Sequence, residues 1–247
     1  MTILDYAKKE IKNLKDKPPR ERWEYFLDYY KWHAVVALVV LLLIVQGIIT
    51  AATHKDTVFH IALLNADLGV DGSVLAEHFE EYAGITGKKE QAVFNTGLIL
   101  SKDASPENTA AFQQLMANLA VKEIDCVAGP PEPFELCAYS AGSPLADLRE
   151  HLDAATLDTF ADRIYYIDAA IVEQIQNATG TSFGTIKYPD PRKPETMKKP
   201  VPVGIDISDR ALLSDTCYAS QKTVYLGIAV NTTRSEMALT FIDYLWS

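Results

Sequence analysis

The chain has 247 residues, 48% of them hydrophobic and 23% charged, with 12 Gly and 12 Pro; that balance excludes a disordered or low-complexity polymer. The net charge of −10 is uneven, because residues 1–33 hold 8 Lys/Arg and 6 Asp/Glu while 54–247 hold 15 and 27. An acidic body repels phosphate backbones, so nucleic acid is not an expected partner.

Residues 1–33 read as a cytoplasmic tail. Leu4, Ala7, Ile11 and Leu14 recur at helical spacing until Pro18 and Pro19. A second helix starts at Arg20, with Trp23, Phe26, Leu27 and Tyr30 on one face, and runs as an interfacial amphipathic helix into the next segment. Residues 34–53, AVVALVVLLLIVQGIITAAT, carry no charge. At about 1.5 Å per residue they match the hydrocarbon core of a bilayer, so a single transmembrane anchor is expected and a polytopic transporter is not. Lys15, Lys17, Arg20, Arg22 and Lys31 precede the span and only Lys55 lies close behind it. This asymmetry predicts a cytoplasmic N-terminus and an extracytoplasmic body. Trp23, Tyr25, Phe26, Tyr29, Tyr30 and Trp32 crowd the entry, where amphipathic rings favour headgroups. A cleavable signal peptide competes through the small residues Thr50, Ala51 and Ala52, but its n-region would be 33 residues long. We expect the anchor to stay.

Residues 54–247 open with the apolar strand VFHIALLNA (58–66), followed by a helix capped by Ser73 and ended by Gly84. Val74, Leu75, His78, Phe79 and Tyr82 supply that helix's predicted buried stripe. A strand over 91–100, a helix over 106–120 and a strand over 124–129 complete a βαβαβ series, which predicts a mainly parallel sheet with helices on both faces. Helices follow near 133–140, 153–161 and 169–177, then an exposed Pro-rich and basic loop over 187–202. Strands over 202–207 and 223–230 precede a closing helix with Met237, Ala238, Phe241, Ile242 and Leu245 on its apolar face and Thr232 or Thr233 as cap.

Two stretches carry a family resemblance. KEIDCVAGPPEPFELCAYSAGSPLADL (122–148), then PVGIDIS (202–208) with TVYLGIAVNTTRSEMALTFIDYL (223–245), resemble in order the lobe-crossing strand and helix, the late strands and the last helix of the extracellular solute-binding protein family. YYKWH and the span after it are also similar to uncharacterised single-pass proteins of Gram-positive bacteria. The resemblance implies an α/β, two-lobed periplasmic-binding-like domain, with parallel or mixed sheets, behind one transmembrane helix. The chain departs from the family in its short body, in lacking a lipobox cysteine, and in carrying Tyr225 and Leu226 where glycines are commoner.

Chemistry is sparse. The body has four histidines, His54, His60, His78 and His151, and no GxSxG. His60 and His78 fall on apolar patterns and read as core residues, so no enzyme is expected. Cys126, Cys137 and Cys217 lack CxxC spacing or a His cluster, which disfavours zinc. They read as buried thiols, with a Cys126 to Cys137 disulfide as the alternative. Asn65, Asp67, Asp71 and Gly72 loosely imitate a calcium loop, but Ala76 or Phe79 falls where its last carboxylate belongs. No metal or cofactor is expected.

For a ligand, Asn65 and Asp67 follow the first strand, Glu132 follows the third, and Asp206 ends a later strand that would face them from the opposite lobe. Tyr139 and Tyr218 are candidate aromatic walls. Converging carboxylates would favour a cationic or polyol solute. The reading is a membrane-tethered, noncatalytic solute-binding-like module that presents or senses a small ligand, with a membrane protein as a further possible partner. A structural or protein-interaction module of the cell envelope on the same scaffold is the alternative.

Overall fold

The computed structural model describes residues 18–87, 89–103, 105–177 and 187–247, with the backbone alone for 19 and 21–30. The periodic segment expected over 2–17 lies outside the described residues. α1 (Pro19–Thr53) is unbroken, with proline in its first turn, where a missing N–H costs nothing. Its part Lys31–Thr53, which contains an 18-residue stretch of mean hydropathy 2.8, is long and apolar enough to cross a membrane. Every side chain in that part is exposed within the chain. The chain divides after His54 into two compact units, and the second, Lys55–Ser247, is the α/β domain.

Its six strands are β1 (Asp56–Leu63), β2 (Glu90–Asn95), β3 (Cys126–Gly129), β4 (Ile164–Asp168), β5 (Pro200–Asp206) and β6 (Tyr225–Ile228). They form one mixed sheet in the order β2-β1-β3-β6-β5-β4. β1 pairs parallel with β2 and β3, because α2 (Gly72–Ala83) and α3 (Pro106–Ala120) return the chain to the same end of the sheet each time. β6 is antiparallel to β3 and β5, and β5 to β4. The expected parallel pattern therefore holds for one half only. The expected two lobes are not seen as two sheets: β6 hydrogen-bonds to β3 on one side and to β5 on the other, so the crossing strand joins both halves edge to edge.

Helices cover both faces. On one, Leu75 and Phe79 of α2 and Phe241 and Leu245 of α8 (Ser235–Trp246) pack on Phe59, Ile61 and Phe94. On the other, Leu115 and Leu119 of α3, Phe134 and Cys137 of α4 (Pro131–Ala138), and Val172 and Ile175 of α6 (Ala169–Asn177) pack on Ala62, Val127 and Val203. Two further short helices among the described residues are α5 (Ala154–Thr159) and α7 (Ala211–Ser214). Gly204 and Gly227 are adjacent-strand glycines under the Phe134 ring, where a Cβ would stand 2.7 and 3.2 Å from its Cζ. Only glycine admits that ring so close to the sheet.

Local chemistry explains the element ends. Ser105 caps α3 by accepting from Asn108 N, and Pro106 opens it. Asp71, rather than the expected Ser73, caps α2 by accepting from Ser73 N at 2.9 Å. Gly84 ends α2 at φ 69°, the left-handed value that glycine adopts freely. β2 stops at Asn95 rather than 100, because the backbone of Leu100 turns in to Asn65. Before α8, Thr232 Oγ1 accepts from Arg234 N at 3.0 Å. Arg234 is the cap residue, displacing the cap expected at Thr232 or Thr233.

The α2 stripe is turned from the expected one: Leu75, Ala76 and Phe79 are buried, while Val74 and Tyr82 are 48% and 45% exposed and His78 faces solvent. His78 is thus no core histidine. All three cysteines are free and buried. Cys126 belongs to one core and Cys137 to the other, so the sheet stands between them and the alternative disulfide has no path.

Candidate functional site

The six residues expected at a ligand crevice are distributed over three places, and their polar atoms are already committed. Asn65 lies just past β1 in the left-handed region, φ 51°. Its side chain clasps one residue: Leu100 N donates to Oδ1 at 2.7 Å and Nδ2 donates to Leu100 O at 2.8 Å. Asp67 accepts from the Ser220 hydroxyl and from Ser220 N, the latter at 3.1 Å. The Ser220 hydroxyl holds the Asp67 carboxyl below its ordinary range. Tyr218, expected as a wall, is fully buried, with its hydroxyl against the carbonyls of Leu64 and Ala128 at 3.0 and 3.1 Å. It ties the ends of β1 and β3 together and lines nothing.

Asp206 closes a different contact. It pairs with the Arg192 guanidinium and accepts from Ser208 N at 2.8 Å. The strand pairings put it at the same end of the sheet as the ends of β1 and β3.

Glu132 and Tyr139 stand together on α4 and its end, and here a cavity does open. It holds about 460 Å³, within the range of small-molecule sites. Leu100 and Phe112 form one side, Leu136 and Tyr139 another, and Tyr188 from the Pro-rich loop closes it. The Tyr139 and Tyr188 rings are stacked with centroids 4.2 Å apart. Tyr139 is held by its hydroxyl, which accepts from Asp168 N at 3.1 Å. Asp168 is itself fixed by Lys198 N and Lys199 N at 2.9 and 3.0 Å. The aromatic wall is therefore anchored to the start of α6 and the loop before β5.

The polar groups in the wall mostly serve the wall. Asn108 Oδ1 accepts from Ser101 N at 2.7 Å, Thr109 donates to Ser105 O at 2.9 Å, and Ser140 donates to Cys137 O at 2.8 Å. What faces inward is apolar and aromatic surface. At the rim Lys102 Nζ lies 2.9 Å from Glu135, and Lys102 N donates to Glu132 at 2.9 Å. The hydrogen bond to Glu135 raises the Lys102 pKa. Burial pushes Tyr139 up to about 12 and raises Tyr188, with the Glu135 charge adding to both.

No family model, curated protein or solved structure matches the chain.

A second concavity of about 550 Å³ lies beside the first residues of β1 and the first turn of α8, with Glu90, Arg234 and Glu236 on its walls. It is shallower, and Arg234 is committed to Asp125 at 2.9 Å. The thiols offer no nucleophile at ordinary pH, since burial pushes Cys137 up to about 12 and Cys126 and Cys217 upward as well.

Of the residues expected at a ligand, only Tyr139 lines this cavity, and sequence reasoning does not single out Lys102, Phe112 or Tyr188. Phe112 and Leu136 carry a helical signal that points them at the core. Nothing in the sequence brings Tyr188 across to Tyr139.

Proposed function

We propose that this chain is a single-pass, membrane-anchored, noncatalytic module whose α/β domain lies outside the cell and holds a small ligand in the cavity beside α3 and α4, a reduced relative of the solute-binding design. The observation that carries this reading is the cavity, with an apolar interior, an anchored aromatic wall and charges confined to the rim. The ligand moves from the expected acidic crevice, whose carboxylates are spent on Ser220 and Arg192, to this neighbouring place.

The test is a thermal-shift screen of small aromatic and aliphatic solutes on the full chain in nanodiscs. A ligand at 100 times its dissociation constant stabilises by about 2.7 kcal/mol. Ala141→Trp places a bulky side chain at the exposed mouth and should abolish every such shift while leaving the unliganded melting temperature within a few degrees. If no solute produces a shift sensitive to this substitution, the ligand reading falls.

The interaction-module alternative then takes its place, favoured by Leu68 and Ile99, 93% and 60% exposed on loops that follow β1 and β2. Orientation rests on the basic residues before the span. In unpermeabilised cells an epitope after Ser247 should be labelled and one before Met1 should not. Converting Lys15, Lys17, Arg20 and Arg22 to Gln should expose both ends in part of the population. Labelling of the N-terminal epitope in the unaltered chain would reverse the topology.

A further inference from the structure

The reading of the cavity as a ligand site leaves the ligand's chemistry open, and its rim narrows it. Of the charged side chains only Lys102 lines the cavity, and two carboxylates adjoin it: Glu135, which takes the Lys102 ammonium at 2.9 Å, and Glu132, which accepts from the Lys102 backbone at 2.9 Å. Two carboxylates against one ammonium leave the rim negative. The rest of the domain adds to that sign, with 27 Asp/Glu against 15 Lys/Arg over 54–247. Inside, Tyr139 and Tyr188, stacked on each other, belong to a largely apolar wall. The ammonium now on Glu135 belongs to a side chain 53% exposed, and exposed pairs of this kind contribute little to stability. Lys102 can swing into solvent at small cost.

Resting on that reading, we infer that the cavity takes a small organic cation, with its aromatic or branched apolar body against Phe112, Leu136 and the tyrosine pair and its ammonium group on Glu135, in the place Lys102 now holds. An anionic ligand would have to draw Lys102 off Glu135 and then sit beside two carboxylates, one of them newly unpaired. A neutral ligand would use the apolar interior and leave the rim unused.

Three indole probes with the same ring and different head charge separate these cases: tryptamine, tryptophol and indole-3-propionate, each titrated calorimetrically into the full chain in nanodiscs. The difference between the unaltered protein and Ala141→Trp removes partition into lipid from the measurement. The expected result is cavity-dependent binding of tryptamine at least about tenfold tighter than of either other probe, the ratio that about 1.4 kcal/mol represents.

Glu135→Gln should bring tryptamine to within about threefold of tryptophol. Lys102→Met should tighten tryptamine, because its internal competitor is gone, and far-ultraviolet circular dichroism checks that both variants fold. If tryptophol or indole-3-propionate binds as tightly as tryptamine and Ala141→Trp abolishes that binding, the site stands and the cationic class is overturned. Weakening of tryptamine by Lys102→Met also overturns it. If none of the three probes shows binding that depends on Ala141, the inference and the reading of the cavity fall together.

Discussion

Phe241→Ala is expected to cost the domain about 3 to 5 kcal/mol, the range for emptying a large aromatic site in a close-packed core. Phe241 is fully buried, and its ring lies 5.0, 5.4 and 5.6 Å from those of Phe59, Phe79 and Phe94. These come from β1, α2 and β2, so the truncation removes a side chain of α8 that meets all three. Edge-on and tilted aromatic pairs add about 0.5 to 1.5 kcal/mol each beyond burial. Val74→Ala, on the exposed side of α2, should stay within about 0.5 kcal/mol. Urea unfolding of the full chain in detergent, followed by near-ultraviolet circular dichroism, measures both. A cost for Phe241→Ala below about 1 kcal/mol would mean that α8 does not close this core.

Arg234→Met should be comparably damaging, about 3 to 5 kcal/mol, because it leaves a carboxylate buried without its cation. Asp125, just before β3, is completely buried. Its oxygens accept from Arg234 Nε at 2.9 and 3.0 Å, from His60 N at 2.8 Å and from the Thr232 hydroxyl. The other arms of the guanidinium donate to the carbonyls of Thr57, Glu123 and Lys122 at 3.0, 2.8 and 3.2 Å. A lysine has the charge but not the planar fork, so Arg234→Lys should recover only part of the loss. Full rescue by lysine in the same unfolding measurement would show that charge alone matters and that the carbonyl contacts are incidental.

The parts of the fold legible in the sequence are those decided by residues close together along the chain. Ser105 with Pro106, Gly84, and the unbroken apolar runs of β1 and α1 are local signals, and each marks the element it suggests, within two or three residues. The antiparallel half is not legible, because β6 is chosen as partner by both β3 and β5 through backbone hydrogen bonds that any sequence can make. For the candidate site, strand ends pick out carboxylates that the structure pairs with other side chains. Asp67 follows a strand and Asp206 ends one, as ligand contacts would, yet Ser220, 153 positions from Asp67, and Arg192, 14 positions before Asp206, satisfy them. Asp125 is a single acid near the start of an otherwise apolar strand, and its partner Arg234 lies outside any pattern of spacing. The same blindness to distant partners hides Tyr188 and Lys102.

The link from Arg234 to Thr57 spans 177 positions. It implies an order of events when the chain is made. β1 emerges first, and Phe59, Phe79 and Phe94 can gather as soon as β2 follows, but the helix that covers them, and the arginine that neutralises Asp125, are both encoded after position 233. Until then the growing domain carries a bare aromatic face and an uncompensated acid. A domain cut short before α8 would expose both to solvent, so its core closes only when α8 is present.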